Sequence, residues 1–236
     1  MAVGAGLFGS GLLWIFYIAL EPFVRRRWPQ ILVSWTRLLS GDWRDPLVGR
    51  DVLVGCAGGL AITCLAHVGF LTRSWLNYPA LLAFSPPLDP VVGYGAAIAQ
   101  LCFFGAREIV DALAGLFLFY ALRLFLRKDG IAAAAYIVIA SMPNIAGAEP
   151  RWVIAPFPLL MVATGLLLLM RFGLLTSAVS LFVQTIFNYF PITLRLSAWY
   201  SSVAFPALFV VAVLTLFGFR TSMGGRPLVD IARIEG

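Results

Sequence analysis

The stretch Val52 to Leu71, VLVGCAGGLAITCLAHVGFL, contains no charged side chain and no proline. At ~1.5 Å per residue, a helix of this length covers the ~30 Å hydrocarbon core of a bilayer. Gly55 and Gly59 within it form G-x-x-x-G, the spacing that lets a second helix approach closely in lipid. His67, the sole histidine, sits toward the far end of the segment on a face shared with Cys56 and Cys64. Two thiols and one imidazole on one helix do not close a zinc tetrahedron, so the pattern predicts packing or an interhelical hydrogen bond rather than a metal centre.

The same character extends over the chain. Hydrophobic residues make up 61% of its 236 positions and charged ones 12%, with a mean hydropathy of +0.93. Soluble domains carry roughly 25% charge. The expectation is an all-α fold: one polytopic transmembrane bundle, residues 1–236, with about seven spans plus interfacial helices. There is no room for a separate soluble domain. The spans fall near 3–20, 52–71, 109–126, 131–146, 153–170, 172–190 and 202–219, with a polar tail over 220–236. The first lacks a charged leader and a small-residue cleavage site, so it reads as a retained helix. Its Gly4, Gly6 and Gly9 spell G-x-G-x-x-G, but no strand precedes them, and helix packing is the simpler reading.

Between the first two spans lies the one long polar interval, 21–51, EPFVRRRWPQILVSWTRLLSGDWRDPLVGRD. Its density of arginine marks it as cytoplasmic under the positive-inside bias. Ile31, Leu32, Trp35, Leu38 and Leu39 line one side of a helical wheel, with Gln30, Ser34 and Arg37 opposite, which predicts a short helix lying flat in the membrane interface. Asp51 reads as the cap of the second span. Arg25, Arg26, Arg27, Trp28, Trp35, Arg37, Arg44, Asp45, Arg50 and Asp51 are the candidate contacts for a cytoplasmic partner. With the amino end outside and the carboxyl end inside, only Arg73, Arg107, Arg151 and Arg195 of the 17 lysines and arginines fall outside. The net charge of +6 therefore reads as membrane orientation, with no aromatic-basic groove pattern for nucleic acid.

The interval 91–126 is too long for one straight span. The reading is a break at Arg107, Glu108 and Asp111, leaving 91–106 interfacial or re-entrant. Ionisable groups inside membrane segments are costly. His67, Arg107, Glu108, Asp111, Gln184 and Asn188 are thus the candidate intramembrane polar site, with Arg107 and Asp111 spaced to pair along a helix. Paired aspartates or a serine and histidine at facing depths are not in evidence, so no catalytic residue and no cofactor is assigned.

EPFVRRRWP, ILVSWTRLLSG, RDPLVGRD and, near the end, GFRTSMGGRPL resemble the C-terminal membrane region of a group of bacterial serine/threonine protein kinases. The resemblance covers nearly the whole chain and implies an anchor or sensor in a bacterial cytoplasmic membrane. The sequence has no V-A-I-K, H-R-D or D-F-G motif, so kinase activity itself is not implied. The expectation is a non-enzymatic module for signal transduction, in contact with the lipid bilayer and a cytoplasmic kinase or other signalling protein, with homo-oligomerisation open. A small transporter or channel using the Arg107, Glu108 and Asp111 break is the alternative.

Overall fold

The computed structural model describes residues 11, 29–78, 93–146, 150–192 and 201–224. The expected first span 3–20 with its glycine triplet, and Arg25, Arg26, Arg27 and Trp28, lie outside the described residues. So do the connecting residues 79–92, 147–149 and 193–200, and the tail from 225. Every regular element among the described residues is helical: α1 (Pro29–Leu39), α2 (Pro46–Trp75), α3 (Tyr94–Leu126), α4 (Asp129–Ala146), α5 (Arg151–Ile154), α6 (Pro156–Phe172), α7 (Leu174–Tyr189) and α8 (Ser201–Ser222). Five segments among these are long and apolar enough to cross a membrane: α2, α3, α4, α5 with α6, and α8. The protein is thus an all-helical membrane protein in class. The sixth apolar helix, α7, has 16 residues and a length of roughly 24 Å.

That short helix forms the centre of the bundle. Leu174, Val183 and Ile186 on α7 have no solvent exposure, and the helix packs against α2, α3, α6 and α1. The α2 crossing is made by glycine. A Cβ on Gly55 would lie 2.7 Å from the Val179 Cβ and 2.9 Å from the Thr176 carbonyl oxygen; one on Gly59 would lie 2.6 Å from the Ser180 carbonyl oxygen. The G-x-x-x-G reading therefore holds, with α7 as its partner. Thr176 adds a hydroxyl that donates to the Asp51 carbonyl oxygen at 3.1 Å, tying the same two helices together nearer their amino ends.

The connection between α6 and α7 left no loop in the sequence. Gly173 supplies it alone: at φ 101° it ends one helix and starts the next. Its N–H donates to the carbonyls of Leu168 and Leu169, and its own carbonyl accepts from Ser177 N–H. A side chain there would suffer both the positive φ and a clash with the Ile31 carbonyl of α1, 2.5 Å from the Cβ position.

Three expectations change. First, α3 is continuous over 33 residues with no break at Arg107, Glu108 and Asp111. At ~1.5 Å per residue it extends about 50 Å, so it reaches well beyond a ~30 Å core or tilts within it. Charged side chains do not interrupt a helix's backbone hydrogen bonds, whether they turn outward as Arg107 and Asp111 do or inward as Glu108 does, so a polar cluster is no evidence of a break. Second, α2 begins at Pro46, and its cap is Asp45, whose carboxylate accepts from Leu47 N–H at 2.8 Å; Asp51 lies one turn inside the helix and is buried. Proline suits the first helical turn, where its missing N–H costs nothing. Third, the apolar side of α1 faces the bundle. Ile31, Leu32 and Trp35 are buried in the main core with Val48, Val52, Leu174 and Leu175. An amphipathic pattern states that one face is buried and is silent on whether lipid or protein covers it.

Replacing Gly59 with valine is expected to weaken the bundle by about 1–3 kcal/mol or more, because backbone rather than a flexible side chain opposes the added atoms. Gly95→Ala, whose Cβ meets nothing within 4 Å, is the control and should leave the unfolding temperature in detergent unchanged. The two variants compared by thermal unfolding check the crossing directly.

Candidate functional site

The bundle has two polar regions among the described residues. The first is the end where α1, the start of α2, the α6–α7 junction and the end of α8 meet. Gly218 of α8 is held against α2 there, its Cβ position 3.0 Å from the Gly49 carbonyl oxygen and 3.1 Å from Leu53 N. Asp45 caps α2 and also pairs with Arg37 of α1, so one carboxylate locks the α1–α2 corner. Arg50 donates through Nε and a terminal nitrogen to one Asp51 oxygen at 3.0 and 2.8 Å. Its guanidinium stands 5.9 Å from the Phe172 ring centre, a cation–π contact with α6. Arg44 is exposed. Trp35, an expected surface residue, is 7% exposed, and its indole N–H and the Ser34 hydroxyl have no hydrogen-bond partner among the described residues.

The second region lies between α2, α3, α4, α6 and α7, where a cleft of about 160 Å³ opens among otherwise apolar helices. Asp111 of α3, Tyr136 and Asn144 of α4, and Ser177 and Gln184 of α7 supply its polar lining; Leu166 and Leu169 of α6 contribute apolar wall. Exposure is graded along it: Asp111 and Asn144 are exposed, Tyr136 and Gln184 half-buried, and Ser177 buried. Asn144 follows Pro143, which sits inside α4 and removes a backbone donor there. Nearby, the Ser141 hydroxyl bonds the Ile137 carbonyl at 2.6 Å and the Pro158 carbonyl of α6 at 3.2 Å, holding α4 and α6 together beside the cleft.

The six expected intramembrane residues do not form one group. Arg107 and Asp111 pair as their spacing implies, at 3.4 Å with both side chains about half exposed, and Gln184 joins Asp111 in the cleft lining. Glu108 turns the other way, where it is buried and accepts from the Thr185 hydroxyl at 2.8 Å. Asn188 is exposed. His67 is exposed near one end of α2, its Nδ1 2.8 Å from the Thr63 carbonyl oxygen and its ring edge-on to Phe70. Cys56 is buried, whereas Cys64 is exposed, so the three side chains of that helix do not share a surroundings. Among the described residues no three His, Cys, Asp or Glu side chains are placed to hold a metal ion.

Sequence reasoning overlooked Tyr136, Asn144, Ser177 and Thr185. A polar residue beside a proline within a span, as at Pro143–Asn144, and the consecutive pair Gln184–Thr185 were the available signals. Serine, threonine and tyrosine are too frequent in membrane helices to stand out without their neighbours.

The chain matches no family model, no curated protein and no solved structure. What fold and site define is therefore a class: a helical membrane protein with a basic, locked corner at one end and a small polar cleft within the bundle.

Thr185→Val would leave the buried Glu108 carboxyl without its hydroxyl donor, a loss of about 1–3 kcal/mol. Thr185→Ser, which keeps the donor, should retain most of the stability. Chemical or thermal unfolding of the two variants in detergent checks this.

Proposed function

We propose that the protein is a non-catalytic membrane sensor or anchor module that couples to a cytoplasmic signalling partner through the α1–α2 corner. The observation that carries this reading is the mechanical continuity of that corner with the bundle. Trp35 and Ile31 of α1 are seated in the same core as the central helix α7, Gly173 at the head of α7 abuts the Ile31 backbone, and Arg37 is tied to the cap of α2. A displacement of α2 against α7 is thereby transmitted to α1, which carries Arg37. Close-packed interiors transmit such shifts because they resist continuous deformation.

The distribution of charge supports a cytoplasmic placement for this end in a bacterial inner membrane. Arg37, Arg44, Arg50, Arg171 and Arg220 gather there, as do Arg123, Arg127 and Lys128 at the α3–α4 turn, while Arg73, Arg107 and Arg151 belong to the other half. Positive-inside bias favours that arrangement, with the amino terminus outside and the carboxyl terminus inside if the stretch 3–20 also crosses. The partner we propose, a kinase or kinase-linked protein, rests on the sequence resemblance of EPFVRRRWP, ILVSWTRLLSG and RDPLVGRD alone. A second reading, a small transporter, is favoured by the polar cleft; it predicts solute flux in proteoliposomes that falls on Asp111→Asn.

Two measurements test the sensor reading. In a cysteine-free background, Arg44→Cys should react with a membrane-impermeant maleimide in inside-out vesicles and not in intact cells; the reverse pattern would overturn the orientation. A photo-crosslinker at position 44 should trap a signalling protein whose phosphorylation changes when Trp35→Ala loosens α1. Unchanged crosslinking and phosphorylation in that variant would sink the coupling role.

A further inference from the structure

We infer that the cleft between α2, α3, α4, α6 and α7 is a binding site for a small organic cation, an alkylammonium with only a few carbon atoms. Among the described residues Asp111 is the one charged residue in its lining, and it stands at the exposed end. Its contact with Arg107 is long, 3.4 Å through one carboxylate oxygen, which leaves the other oxygen for a ligand ammonium. Deeper in, the amide oxygen of Gln184 and the hydroxyl of Ser177 can accept ammonium hydrogens. Tyr136 offers an aromatic ring, and Leu166 and Leu169 accommodate an alkyl chain. The volume of about 160 Å³ is enough for a ligand group of about benzene size. An anion would meet Asp111 as a like charge.

Two glycines shape the space. Gly115 faces the Tyr136 hydroxyl, 2.9 Å from its Cβ position, so a side chain there would push the phenol out of place. Gly165 lines the cleft and has nothing within 4 Å of its Cβ position, so the cleft can be filled from this position without displacing backbone. This site deepens the sensor reading by supplying a chemical class for the signal, and rests on that reading for its consequence alone; binding itself is independent of it.

The full chain in lipid nanodiscs is titrated with n-propylammonium, 1-propanol and propionate, and binding is read by saturation-transfer NMR and by the shift in unfolding temperature. Propylammonium should bind, and the neutral and anionic analogues should bind at least tenfold more weakly. Asp111→Asn should weaken propylammonium by about 10-fold or more, the range for a hydrogen bond to a charged group. Arg107→Gln should tighten it by removing the competitor, and Gly165→Leu should abolish it while the unfolding temperature of the free protein stays close to that of the parent. Equal binding of propanol and propylammonium, or propylammonium binding unaffected by both Asp111→Asn and Gly165→Leu, overturns the site. If propylammonium binds as described yet leaves crosslinking at position 44 and partner phosphorylation unchanged, the site stands and the sensor reading falls.

Discussion

The close crossing of α2 over α7 is the constraint on which the bundle depends. In lipid, apolar side chains gain little by leaving hydrocarbon for a protein interior, so helix association relies on intimate van der Waals contact and on hydrogen bonds between helices. Gly55 and Gly59 bring the α2 backbone onto Thr176, Val179, Ser180 and Val183 of α7, and Gly58 gives room to Leu168 of α6. With α7 fixed in this way, its remaining faces receive α3 and α1. The same approach places the Thr176 hydroxyl under the Asp51 carbonyl.

From this centre the two polar regions follow as consequences of which way each side chain turns. On α3, Glu108 and Asp111 are three positions apart, yet one is buried beside Thr185 and the other is exposed at the cleft. The buried one is bonded to a neighbouring helix, as an ionisable group in this setting requires; the exposed one shares a loose pair with Arg107 and remains open to a ligand. In the α1–α2 corner, Trp35 lies in the core, with no hydrogen-bond partner for its indole N–H among the described residues.

Much of the architecture was legible because the signals are local. Val52–Leu71 is apolar over the thickness of a bilayer, and Arg107 and Asp111 pair along one helix; the start of α2 was misplaced at Asp51 because both Asp45 and Asp51 are capping residues by type. The site was less legible. Gln184 and Asp111 line one cleft, but nothing in their separation of more than seventy positions announces it, and Tyr136 and Asn144 reach the same cleft from a third helix. Glu108 and Thr185 likewise became partners through the packing of α3 on α7.

The amino-acid sequence by itself determined the class, the helical content, the approximate ends of α4, α6, α7 and α8, and the gathering of cationic residues in particular connections, because hydropathy, helix-stop chemistry and charge are properties of contiguous residues. Only the tertiary structure decided that α3 runs unbroken, that Gly55 and Gly59 meet α7, that α1 turns its apolar face to the bundle, and that five polar side chains from three helices share a cleft. Each of those depends on the rotation and depth of one helix relative to another, and these are set by packing between residues distant in the chain.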